Sequence, residues 1–156
     1  MTQSRRSLLA PVVIFALCAL GACAPRLPAS SNDAPGRQSA FFEAFPAPLF
    51  AAIDEGCQSD IDRLTRVSRT ELVCESLPSP QAAAALILQY DGDVEALPTF
   101  VTTLYAVPLE TGYEVTTEYF YLVPQKGGDV AVIRFRQPRI EQTVRRVFAS
   151  AGGRSI

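Results

Sequence analysis

The side chains able to do chemistry in this chain are carboxylates, tyrosines, arginines and four cysteines, because it contains no His. That absence removes Ser-His-Asp and Cys-His catalysis, imidazole-ligated metals and a His-based pH switch. Asp91, Asp93 and Glu95 alternate in the segment YDGDVE, and oxygen ligands in that pattern suit a hard cation such as calcium. Gly92, however, stands one residue after the first acid, which breaks EF-hand spacing, and no Glu follows where a bidentate ligand is needed. The expectation is therefore a helix end, with Gly92 as its left-handed stop and solvated acids around it. Asp60 and Asp62 in SDID precede Arg63, Arg66 and Arg69, and read as a solvated loop making surface ion pairs. A glycosidase needs two acids across a cleft, one with a raised pKa, and no pair stands out as such. Tyr113, Tyr119 and Tyr121 recur at period two, which predicts core positions, with a ligand pocket between helices and sheet as the alternative reading. These residues assign no catalytic role, no metal and no cofactor.

The N-terminus carries a different chemistry. Arg5 and Arg6 precede an apolar run from Leu8 to Leu20, far shorter than the roughly 20 residues of a spanning helix. A charged start, a short apolar middle and small residues before a cleavage point describe a secretory signal. The segment Leu20-Gly21-Ala22-Cys23 resembles the lipobox of bacterial lipoproteins. The resemblance implies that residues 1–22 are removed and that Cys23 becomes the acylated first residue of the mature chain. Ala24, rather than Asp, in the next position implies export to the outer membrane. Several acyl chains anchor a protein far more firmly than one, so the membrane itself is the first expected partner.

On that reading Cys18 is discarded and Cys23 carries lipid, which leaves Cys57 and Cys74. Two thiols in an oxidising compartment pair most simply with each other. A loop of that size is worth about 3 kcal/mol on the chain-entropy model.

The elements that must position these residues follow from punctuation and periodicity. Residues 23–38 hold the lipidated Cys and a Pro-, Ala- and Ser-rich tether, and residues 39–156 are expected to form one globular domain. Phe41, Phe42, Phe45, Leu49, Phe50 and Ile53, broken by Pro46 and Pro48, predict two short helical pieces ending at Gly56. Residues 69–77 suit a strand. Ser79 and Pro80 then open a helix, apolar all round over Ala83–Leu88 and so expected to be largely buried. Residues 99–107, 113–123 and 129–136 read as three strands, and Pro138 opens a C-terminal helix with Gly152 as its stop. This order predicts an α+β fold: a mainly antiparallel sheet with a three-stranded meander, and helices packed on one face.

Charge is unevenly placed. The formal net charge of −2 gives no case for nucleic acid. Asp91, Asp93, Glu95, Glu110, Glu114, Glu118 and Asp129 face a single base, Lys126, over residues 90–129, whereas Arg134, Arg136, Arg139, Arg145, Arg146 and Arg154 follow with one acid, Glu141. Either the two segments neutralise each other on adjacent strands, or Arg139, Arg145 and Arg146 form a face that meets a partner or lipid phosphates. The function expected is that of a non-enzymatic, lipid-anchored periplasmic module that binds an envelope protein. A small-ligand domain and a structural lipoprotein are the alternatives.

Overall fold

A computed structural model describes residues 34–156; the signal segment 1–22, Cys23 and most of the tether lie outside the described residues. The elements run β1 (Arg37–Phe42), α1 (Ala47–Gly56), β2 (Arg63–Ser68), β3 (Glu71–Ser76), α2 (Pro80–Gln89), β4 (Thr99–Leu109), β5 (Gly112–Pro124), β6 (Val130–Arg134), α3 (Pro138–Ser150) and β7 (Arg154–Ser155). The strands form one antiparallel sheet in the order β2-β3-β4-β5-β1-β7, with β6 also paired to β5. The class is thus mixed α and β, with the sheet dominant.

Local chemistry accounts for the helix ends. Ser79 Oγ accepts from the Ala82 N–H at 3.3 Å, with Pro80 directly behind it, so one orphan donor is satisfied and another is missing by design of the ring. Gly152 takes φ +88 just past α3, and the Gly153 N–H returns to the Phe148 carbonyl at 2.8 Å.

The long strand β5 organises the sheet. One side pairs with β4 along its length; the other pairs first with β1, from Phe42↔Tyr113 to Arg37↔Glu118, and then with β6, from Phe120↔Arg134 to Pro124↔Val130. β1 and β6 therefore lie end to end on one edge. At their junction the Tyr119 N–H donates to the Gly36 carbonyl at 2.7 Å. Gly36 sits there at φ +75, and a Cβ on it would lie 2.2 Å from the Tyr119 carbonyl oxygen, so only glycine fits.

The core follows the cross-strand rows. Ala40, Val115 and Ala106 are neighbours across three strands, Leu104 and Leu72 across two, and all are buried. Onto this face α1 brings Leu49 and Phe50 and α3 brings Phe148, whose ring meets Phe42 edge-on at 6.0 Å.

Four expectations are corrected. The Phe41–Phe42 segment is a strand, not a helix, and Arg63–Ser68 forms another strand ahead of the first one expected. The reason is non-local: β1 reads poorly as a strand because the polar Gln38 and Ser39 are themselves buried, and it forms where β5 offers a free edge. Helix α2 is not largely buried; Ala83 alone is fully covered and Leu88 is 85 % exposed. The left-handed residue that ends it is Asp91, at φ 51, while Gly92 donates to the Ile87 carbonyl at 2.8 Å and packs beside Val123.

Among the described residues Tyr119, 1 % exposed, is the largest fully buried side chain, with its hydroxyl beside the Gln137 backbone. A buried hydroxyl with one backbone partner contributes little net, so Tyr119→Phe is expected to change stability by less than about 1 kcal/mol in urea unfolding. Burial pushes the phenols of Tyr105, Tyr119 and Tyr121 up. The unfolded chain consequently loses these protons first, and stability is expected to fall as pH rises above about 10, less steeply in the Tyr119→Phe variant. A loss of more than about 1 kcal/mol in that variant at neutral pH would show that the hydroxyl is held more strongly than one backbone partner accounts for.

Candidate functional site

The three arginines singled out in the sequence sit on α3. Val144 and Phe148 point that helix into the core. Arg139 and Arg146, seven residues apart, lie on one line of the opposite side, and Arg145 is turned by about 100° from them. Among the described residues, none of Arg139, Arg145 and Arg146 makes an ion pair. Arg145 instead borders a recess of about 170 Å³, lined also by Gln38, Ser39, Arg136, Glu141 and Ser155. Gln38 is only 7 % exposed there, and its Oε1 has no hydrogen-bond partner. Unpaired guanidinium groups on a packed helix are forks aimed at solvent, suited to phosphate or carboxylate oxygens.

Glu118 is one carboxylate of the acidic hairpin that is neutralised by the basic C-terminal segment. Glu118 on β5 takes Arg134 at 3.3 Å and Arg37 at 3.9 Å, and accepts from the Tyr105 hydroxyl at 3.4 Å. Asp91 pairs with Lys126, and Arg154 pairs with Glu43 at 3.6 Å. The sheet thus uses Arg134 internally, whereas α3 keeps its arginines outward.

Cys57 and Cys74 are joined, with their Cα atoms 6.0 Å apart. The bond ties the residue that caps α1 to β3, closing a loop across the core face. The double variant Cys57→Ala/Cys74→Ala is expected to lose about 3 kcal/mol, read as a fall in Tm of about 10 °C. A fall under about 3 °C would mean that the reduced chain is already held in this geometry.

The remaining constellations do not converge. Asp93 Oδ1 accepts from the Glu95 N–H at 2.9 Å, an ordinary turn. Arg63 and Arg66 pair with Glu75 and Asp54, not with Asp60 or Asp62. No group of three or more acids or thiols placed to hold a metal occurs among the described residues. Nor do the three tyrosines share a pocket. Tyr119 is enclosed, Tyr121 stacks on Phe135 at 5.0 Å, and Tyr113 borders a recess of about 280 Å³ with Phe45, Thr70 and Arg69.

Several exposed apolar residues were not singled out in the sequence. Val94 and Leu97 follow α2 in a segment whose Asp93 N–H bonds the Pro124 carbonyl and whose Gly92 bridges Gln125. Val130 pairs with Pro124 and Val132 with Leu122 on the edge of β5 that β6 occupies. Leu88, Val94, Leu97, Val130 and Val132 are all at least half exposed. No helix among the described residues is long and apolar enough to cross a membrane.

The chain matches no family model, no curated protein and no solved structure, so its functional reading rests on its own chemistry.

Proposed function

We propose that this is a lipoprotein of the bacterial envelope, cleaved after residue 22, anchored through Cys23 to the periplasmic face of the outer membrane, and working as a non-enzymatic binding or assembly module. The lipobox-like Leu20–Cys23 segment supports the anchor. The disulfide suits an oxidising compartment. In this reading all the helices pack on one face of the sheet, as the buried residues of α1 and α3 suggest.

The observation that supports the binding role is that Leu88, Val94, Leu97, Val130 and Val132 are all at least half exposed, with Val130 and Val132 paired to the last residues of β5. Large apolar side chains left in solvent are the groups a protein partner would cover. The test is gentle detergent co-purification of the lipidated full-length protein from its native membranes, with crosslinking and mass spectrometry. A stoichiometric envelope protein crosslinked near Leu88, Val94 or Val132 is expected, and Leu88→Asp/Val94→Asp should weaken its capture by at least about tenfold without lowering Tm. A clean monomer would overturn the assembly role.

A second reading has one observation in its favour. The recess beside Phe45 and Tyr113 carries an unpaired Arg69 and the Thr70 hydroxyl, a fit for a small apolar carboxylate. A thermal-shift screen of such acids, sugars and divalent ions discriminates it from the first.

A further inference from the structure

The basic side of α3 has an occupant that the geometry itself identifies. The chain enters the domain at Ala34–Gly36, and a Cβ on Gly36 would lie 3.6 Å from the carbonyl of Phe135, just ahead of α3. From there β1 and α3 run side by side. Gln38 and Ser39 share a recess with Arg136 and Arg145, and farther on the Phe42 ring meets Phe148. The strand that continues the tether is therefore the strand flanked by the helix that carries the arginines.

Residues 24–33 are all that separate Cys23 from Ala34, so the point where the domain begins stands at most about 40 Å from the lipid-bearing sulfur. Over residues 136–150 four Arg face one Glu, in a domain whose other charges are predominantly acidic. Arg139 and Arg146 share one line of the helix with Gln142 beside them, opposite Val144 and Phe148. A short leash, a local excess of cations and unpaired guanidinium groups fit an anionic surface of phosphates that lies within reach of the anchor.

We infer that α3 lies on the membrane to which Cys23 is anchored, with Arg139, Arg145 and Arg146 on the phosphates of anionic lipid headgroups. This inference rests on the anchor proposed above and deepens it. The lipid holds the domain near the bilayer, and α3 fixes which way it faces. Each basic side chain near an anionic surface contributes about fivefold, so the three together bias the docked orientation by roughly two orders of magnitude. The contact decays within a Debye length of about 8 Å at physiological salt, so it requires α3 itself to touch the headgroups.

The test uses the lipidated full chain, carrying a fluorophore on Gln142→Cys or, as a control on the far edge strand, on Val67→Cys. Each is reconstituted into phosphatidylcholine vesicles with or without one phosphatidylglycerol in three, together with a headgroup-attached quencher. Quenching of the Gln142 label is expected in the anionic vesicles alone, lost in roughly 1 M salt and in the Arg139→Gln/Arg145→Gln/Arg146→Gln variant, with the Val67 label unquenched throughout. Equal quenching of the Gln142 label in both vesicles, or quenching that the variant and salt leave unchanged, overturns the inference while the anchor stands. A chain that floats with neither vesicle overturns the anchor reading and this inference with it. If the variant instead loses a co-purified acidic protein and keeps its quenching, the face belongs to that protein and the lipid assignment falls.

Discussion

Cys23→Ser is expected to end incorporation of labelled palmitate and to leave the chain with its first 22 residues attached. The resemblance to a lipobox implies that Cys23 carries the lipid, a role that on the same resemblance a serine at that position would not fill. The effect is large because each buried methylene contributes about 0.8 kcal/mol to membrane binding, and acyl chains supply many of them. Metabolic labelling and intact-mass measurement read both consequences from one culture. The double variant of Cys57 and Cys74 is the matched control, because it removes the other two cysteines of the mature chain and is expected to keep the label. Palmitate retained in the Cys23→Ser protein, or a mature chain that begins elsewhere, would remove the anchor and with it the membrane location proposed here.

Phe42→Ala is expected to cost about 3–5 kcal/mol, a large part of the 5–15 kcal/mol that holds a domain of this size together. The ring is 3 % exposed at the centre of the core cluster, where it meets Phe148 edge-on. It also lies so close to Gly153 that a Cβ there would stand 2.6 Å from its Cζ. Truncation therefore opens a cavity between β1, α3 and the turn behind α3, and that turn has no side chain with which to fill it. Phe41 is the internal control. It projects to the other side of the sheet, half-buried, with the Arg154 guanidinium 5.0 Å from its ring centre, and Phe41→Ala is expected to cost about 1 kcal/mol. Urea unfolding of the two variants measures the contrast. Equal losses would mean that adjacent rings share one environment, which a strand with alternating side chains does not allow.

That pair of residues also marks where sequence reading stops. Strands β3, β4, β5 and β6 were legible because β-branched and aromatic residues are bounded there by proline and glycine turns, and α2 and α3 because Ser79, Pro80, Pro138 and Gly152 announce their ends. Such signals are local, and so is the chemistry that produces them. β1 was illegible because its polar residues Gln38 and Ser39 are buried; Ser39 Oγ is satisfied by the Thr116 hydroxyl at 2.7 Å, a partner on a distant strand. β2 was illegible because an edge strand tolerates arginines that a central strand would exclude. The over-reading of α2 has the same origin. An apolar run predicts burial only if neighbouring elements surround it, and here Leu88 is left outside.

The candidate site divides along the same line. The sequence by itself determined which groups exist: a lipobox-like Cys23, two further cysteines, no histidine, and an arginine-rich last helix. It also left Cys57 and Cys74 as the two thiols to pair once Cys18 and Cys23 are read as signal and anchor. Only the tertiary structure decided which arginines are spoken for. Arg134 and Arg37 are drawn to Glu118 by the register of β5 with β6 and β1, while α3, turned inward by Val144 and Phe148, leaves Arg139, Arg145 and Arg146 facing solvent. The same pairing of β5 leaves Val130 and Val132 at its β6 edge at least half exposed. Composition and spacing are properties of neighbours along the chain, whereas ion pairing and exposure are set by neighbours across the sheet, and those are fixed when the strands choose their register.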